Sequence, residues 1–283
     1  MSVDHTTFHL NPLKKQKIPT LKTLNWAQLH FSPSKTEGIN DLYRILRNQK
    51  SLNSISLSLK FRNKFEIHAH TLIIRKLKRI RTFKLLESSK HIDGLWKKLV
   101  SNLKHLKSLT LTLDKNINDK GLEELSNGLK NLSSLSELSL EIPQNFIISN
   151  KGLFALSRNL KHLRSLSSFK LTLIYLHVTD EGLKSICKFE AISTSSLHII
   201  HLSITDEGIK SISQSIKSLK LSNLLLDFGS CYEISDKGLE SLFLNLQNNS
   251  SLLQLELDFS SNTKITNNSF HSLSKCLENN CNF

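Results

Sequence analysis

Residues 234–242 read ISDKGLESL, and the chain rewrites that phrase along its length. It returns as INDKGLEEL from Ile117, VTDEGLKSI from Val178 and ITDEGIKSI from Ile204. Looser copies are IISNKGLFAL from Ile147 and ITNNSFHSL from Ile265. A catalytic loop is needed once, whereas a phrase at near-constant spacing marks a repeat architecture. Ser, Thr or Asn followed by Asp or Asn offers side-chain oxygens to the free N–H groups of a helix start. An acidic group there also faces the positive end of the helix dipole. After the glycine, apolar residues recur at helical spacing, as in Leu122, Leu125, Leu129 and Leu132. The phrase therefore predicts a strand-to-helix corner.

Between the copies lie stretches that fit L-x-x-L-x-L-x-L: LKSLTLTL (Leu106–Leu113), LSELSLEI (Leu135–Ile142), LSSFKLTL (Leu166–Leu173), LHIIHLSI (Leu197–Ile204), LSNLLLDF (Leu221–Phe228) and LLQLELDF (Leu252–Phe259). Upstream, LNSISLSL from Leu52 fits fully, and stretches at Ile80 and Trp26 fit over shorter lengths. Alternation of period 2 describes a short strand with one buried face. Taking the second apolar position as marker gives Leu29, Ile55, Phe83, Leu109, Leu138, Phe169, Ile200, Leu224 and Leu255, at steps of 26, 28, 26, 29, 31, 31, 24 and 31. Gly38, Gly94, Gly121, Gly152, Gly182, Gly208 and Gly238 share one phase. A glycine there predicts a backbone too close to a neighbour for a Cβ. On these markers the helical half of each repeat is constant, and the loop leaving the strand varies.

This pattern, L-x-x-L-x-L followed by ITDxGLxxL, resembles leucine-rich repeats of the ribonuclease-inhibitor-like and cysteine-containing classes. The resemblance covers residues 20–283 and leaves 1–19 as an N-terminal tail or cap. It implies an α/β solenoid of about nine repeats, a curved horseshoe with a parallel sheet on the concave side and helices on the convex side. The ladder Asn or Cys that these families place after the strand is kept at Cys231 alone, since Leu111 leads to Asp114 and Leu140 to Pro143. One repeat cannot bury its own leucine stripe, and neighbours supply the burial. The first repeats and the last, NNSFHSLSKCLENN, are expected to act as caps.

Lys and Arg outnumber Asp and Glu 38 to 24, for a formal charge of +14. Residues 1–100 hold 20 cations against 6 anions, so the whole excess lies in the first third. Its densest run supplies Lys60, Arg62, Lys64, Arg75, Lys76, Lys78, Arg79 and Arg81. Apolar Ile73, Ile74, Leu77 and Ile80 fit a helix stripe, which makes the charges an outer face. That face could attract an acidic protein, nucleic acid or an anionic membrane. No interleaved aromatics accompany it.

The opening residues lack a basic start followed by an apolar run, and no stretch is apolar enough to span a bilayer. We therefore expect a cytoplasmic chain, with the nucleus as the alternative, and four reduced cysteines. His68 and His70 lack metal-ligand partners at recognised spacing, and no nucleophile-elbow or phosphate-loop sequence occurs. We expect neither an enzyme nor a cofactor.

Residues between the core leucines line the sheet's open face. Those expected to bind a partner are Lys84, Thr110, Thr112, Glu141, Lys170, Thr172, His201, Asp227, Glu256 and Asp258. Loops carrying Phe146, Tyr175 and Leu176 form a second surface, though most of these apolar residues are expected to fold back as core. The leading expectation is a monomeric scaffold that binds another protein. Narrower alternatives implied by the resemblance are the substrate-recognition subunit of a ubiquitin ligase, or an inhibitor or GTPase activator. Relatives in ligases carry an F-box, for which residues 1–19 are too few, so that role calls for a separate adaptor. Electrostatic binding of nucleic acid or anionic lipid through the basic run is the alternative of another class.

Overall fold

The computed structural model describes residues 23–29, 53–59, 80–87, 96–101, 103–144, 147–186, 194–200, 203–217, 219, 221–247 and 249–279. Nine strands are present among them: β1 (Thr23–Leu29), β2 (Ser54–Leu59), β3 (Thr82–Glu87), β4 (Ser108–Thr112), β5 (Glu137–Ile142), β6 (Ser168–Ile174), β7 (Thr194–Ile200), β8 (Asn223–Asp227) and β9 (Gln254–Asp258). They form one parallel sheet in chain order. The helices are α1 (Trp96–Val100), α2 (Asp119–Leu129), α3 (Asn150–Leu160), α4 (Asp180–Ile186), α5 (Asp206–Lys217), α6 (Asp236–Leu246) and α7 (Asn267–Asn279). Each helix packs on the helix of the next repeat, and each strand on the next strand. That is the connectivity of an α/β solenoid.

The alternation of the sequence appears directly in burial. In β4, Leu109 and Leu111 are buried while Ser108, Thr110 and Thr112 face outward. Leu122, Leu125 and Leu129 of α2 enter the same core from the other layer. Each fully buried leucine is worth about 1.5–3 kcal/mol, and the burial comes from the repeats on either side.

The parallel register confirms most markers and corrects two. Ile55, Phe83, Leu109, Leu138 and Phe169 are aligned, as are Leu224 and Leu255. Phe169 and Leu224, however, both pair with Ser195 rather than Ile200, which lies opposite Ile174. Likewise Ile55 pairs with Leu24, and Leu29 pairs with Leu59 beyond an irregularity. A serine in the leucine row shifted the best sequence match five residues downstream. With Ser195 as marker the glycines Gly121 to Gly238 follow their strands by 12 to 14 residues throughout. From Gly182 to the next marker is only 13 residues, against 17 from Gly121. The strand-to-helix loop is thus the more regular half, and the shortening falls between α4 and β7.

The repeated phrase works between repeats as well as within them. Ser, Thr or Asn caps its own helix: Asn118 Oδ1 accepts from the Gly121 N–H at 2.9 Å, and Ser235 Oγ from the Lys237 N–H at 3.3 Å. The Asp that follows reaches the cap of the next repeat. Asp119 accepts from the Ser149 N–H (2.9 Å) and hydroxyl (2.7 Å). Asp180 does the same for Thr205 (2.9 and 2.7 Å), and Asp206 for Ser235 (2.7 and 2.6 Å). Asn150 makes the equivalent rung: its Oδ1 accepts from the Thr179 N–H at 3.0 Å and its Nδ2 donates to Thr179 Oγ1 at 2.9 Å. Hydrogen bonds to a charged acceptor are the stronger kind.

The glycine follows from this rung. A Cβ on Gly152 would lie 2.6 Å from Asp119 Oδ1, and one on Gly238 would lie 2.6 Å from Asp206 Oδ1. In α7 the glycine's place is taken by Ser269, whose hydroxyl donates to Asp236 Oδ1. Asp236 also accepts from the Thr266 N–H (2.8 Å) and hydroxyl (2.5 Å). Hydrogen bonds from the Ser269 hydroxyl, and then from Thr266, hold the Asp236 carboxyl below the usual carboxylate range.

Where β8 and β9 end, DFGSC and DFSSN make matching turns, with Ser230 and Ser261 both at positive φ. Buried Cys231 donates to the Ile199 carbonyl at 3.5 Å, and Asn262 Nδ2 to the Phe228 carbonyl at 3.0 Å. The ladder position is therefore kept in two repeats rather than at Cys231 alone. The rings of Phe228 and Phe259 stack between these turns, 5.6 Å apart.

Candidate interaction surface

Pairing in register sets the outward residues of the sheet in rows. One row runs Lys84, Thr110, Ser139, Lys170, Ser196, Leu225, Glu256; the next runs Thr112, Glu141, Thr172, His198, Asp227, Asp258. Nine of the ten residues expected on this face take their places in these rows. Lys84, Glu141, Lys170, Glu256 and Asp258 are exposed; Thr110, Thr112, Thr172 and Asp227 are half-buried. His201 does not, because the register of β7 gives its expected place beside Lys170 to Ser196, while His198 stands in the other row; His201 itself lies outside the described residues.

Local bonds order the rows. Thr112 Oγ1 donates to Glu141 Oε2 at 3.1 Å, and Asn223 Nδ2 to Gln254 Oε1 at 2.7 Å. His198 Nδ1 lies 3.4 Å from Asp227 Oδ2, while its Nε2 is buried without a hydrogen-bond partner among the described residues. Asp227 and Asp258 also accept from the N–H groups of Gly229 (3.0 Å) and Ser260 (2.8 Å), so each ties down the turn that leaves its strand. The face is consequently uneven. Lys84 and Lys170 place cations on the earlier strands, and Asp227, Glu256 and Asp258 gather carboxylates on the last two.

Of the basic run, Arg81 alone falls among the described residues; it is exposed and its Nη1 donates to the His105 carbonyl at 2.9 Å. Lys60, Arg62, Lys64, Arg75, Lys76, Lys78 and Arg79 lie outside them, as does His68-x-His70. In the loop rim Leu176 and Ile148 are buried as core, while Tyr175 (φ 53°), Ile147 and Tyr232 are exposed. Phe146 lies outside the described residues. Sequence reasoning had missed Tyr232 and Ile147. The signal available was their position, each just upstream of the buried residue that opens the repeated phrase. Among the described residues no three His, Cys, Asp or Glu side chains converge as metal ligands, and no helix is long and apolar enough to cross a membrane. Cys231 and Cys276 are buried.

No family model and no curated protein matches the sequence. Among solved structures, the fold is similar to Rad7, a leucine-rich-repeat protein, in the crystal structure of the Rad7 and Elc1 complex in yeast. The likeness has a TM-score of 0.55 at 20% identity over 83% of this chain, and spans 57% of that one. The register, the helix layer and this likeness together give the fold: the chain is a solenoid of the leucine-rich-repeat type.

Proposed function

We propose that this chain is a non-enzymatic scaffold that binds another protein on the outward face of its sheet and the adjoining loop rim. The observation that carries this reading is the face itself, nine strands in register with no described element covering it. Strand spacing of about 4.8 Å and about 3.3 Å per residue make it roughly 38 by 16 Å. That is near 600 Å², somewhat short of the ~800 Å² per partner of a standard interface. A partner would therefore also use the rim, where Tyr175 and Tyr232 supply the amphipathic rings that interfaces favour.

Affinity capture from native cells tests the proposal, comparing the wild-type chain with a Lys170→Glu, Glu256→Lys, Asp258→Lys variant that keeps its helical circular dichroism. A saturable partner lost in the variant supports the reading. Equal capture by both chains rejects this face. A narrower version is selection of substrates for a ubiquitin ligase through a separate adaptor. It is favoured by the structural neighbour, whose crystals contain Rad7 together with Elc1. Co-purification with cullin complexes tests it, and their absence from a captured assembly ends it.

A further inference from the structure

The last repeat has the sequence of an interior repeat but not its surroundings. Leu122, Leu153, Leu183, Ile209 and Leu239, each following the phrase glycine, are buried; Phe270, at the same position of α7, is 67% exposed. Leu255 and Leu257 of the strand, and Phe259, Ile265 and Leu273 beyond it, are only partly buried. Their counterparts Leu224, Leu226, Phe228, Ile234 and Leu242 are buried. Leu253, where other repeats carry Lys107, Ser136, Ser167 or Ser222, is 72% exposed. A capping repeat carries a polar outer face; this one, expected as a cap, presents Leu253 and Phe270 to solvent.

The polar ladders stop at the same end. Among the described residues β9 has no strand on its outer edge, which leaves a row of main-chain donors and acceptors. Asn267 stands at the rung position of Asp206 and Asp236, with no following cap in the described chain. Asn262, 7% exposed, turns its Nδ2 to the carbonyls of Phe228 and Phe259, and its buried Oδ1 has no donor. Each buried acceptor left unmatched costs about 1–3 kcal/mol.

We propose that the β9–α7 end docks an extended segment of another protein, in which apolar residues alternate with Lys or Arg, by adding it as a tenth strand. The apolar positions extend the row of Leu255 and Leu257. The basic positions lie beside Glu256 and Asp258, which face outward on β9. Opposite charges on adjacent strands stabilise the pairing, and like charges oppose it. A second copy is the poorer occupant on that ground. Antiparallel pairing of two β9 strands about Glu256 sets Glu256 against itself, and pairing about Leu257 sets it against Asp258. Head-to-tail stacking brings β1, whose Asn25, the residue in the register of Glu256, carries no charge. This surface shares Glu256 and Asp258 with the outward face of the sheet but does not include Lys170, so Lys170→Glu alone should leave it untouched.

The probe is a fluorescein-labelled nine-residue peptide alternating Leu with Lys, titrated into the full chain by fluorescence anisotropy. Saturable binding is expected, weakened about tenfold or more by Glu256→Lys with Asp258→Lys and changed less than about twofold by Glu137→Lys with Glu141→Lys. Methylating alternate backbone nitrogens of the peptide should abolish it, because a strand that cannot donate cannot join a sheet. Binding that survives methylation, or equal loss with both charge pairs, overturns the proposal. So does equal binding of a Leu–Glu peptide. Concentration-dependent dimerisation in sedimentation velocity, removed by Phe270→Asp, would instead assign this end to a second copy.

Discussion

The repeat built from β8 and α6 and the one built from β9 and α7 carry the same apolar pattern and meet different fates. Leu224, Leu226, Phe228 and Leu239 are buried, while Leu255, Leu257, Phe259 and Phe270 stay partly or largely in water. The interior rung from Asp206 to Ser235 has the next repeat beyond it; the rung from Asp236 to Thr266 is the last described. Neither strand nor helix differs in type. Burial in this fold is a property that one repeat confers on another, so identical leucines contribute unequally according to what stands beside them.

Truncation tests that inequality most severely. Leu226→Ala should cost about 2–5 kcal/mol, as a fully buried leucine does, and Leu257→Ala less than half of that. Urea unfolding measures both, and equal costs would show the end to be as well packed as the interior. Next in size, Gly238→Ala pushes the Asp206 carboxylate off Ser235 and should cost about 1–3 kcal/mol. Ser269→Gly loses one hydroxyl donor at the end and should cost about 0.5–1.5 kcal/mol.

Asp206→Asn is expected to be mild, under about 1 kcal/mol, because Asn150 already holds a rung with both amide atoms. Asp206→Ala, which leaves Ser235 unmatched, should cost more in the same melt. Ser195→Leu should add about 1 kcal/mol by filling the gap beneath β7, which Leu197, Ile212, Ile216, Leu224 and Leu226 line. A loss of stability there would mean that the gap is already occupied.

The smallest effect is local and pH-dependent. Asp236 titrates below its unfolded value of about 3.9. Its contribution is complete above that value and is lost as pH falls through the lower folded one. Protection of the α7 amides, relative to their intrinsic exchange rates, should therefore fall on acidification more than protection in α5 does. Asp236→Asn should remove the difference.

Several features of this molecule were legible in residue order alone. Alternation made the strands, helical spacing made the helices, and recurrence of the phrase made the solenoid, because each depends on local periodicity. Nine of the ten face residues followed from alternation as well. The exception came at Ser195, where a polar residue in the apolar row allowed a neighbouring stretch, LHIIHLSI, to match the template better. That shift put His201 on the face where Ser196 stands and passed over His198. The spacing from strand marker to glycine held the correcting signal, since it becomes uniform only when Ser195 is the marker.

The repeating pattern by itself determined the architecture, the direction of the strands and the residue types along the face, since periodicity sorts side chains before any long-range contact forms. Only the tertiary structure decided why Asp and Gly must occur together, for the carboxylate of one repeat fills the space beside the glycine of the next. It also decided that Phe270 is exposed and Leu239 buried. The physical reason is that burial and hydrogen-bond satisfaction belong to pairs of repeats, and a residue's own sequence context does not state whether its neighbour is there.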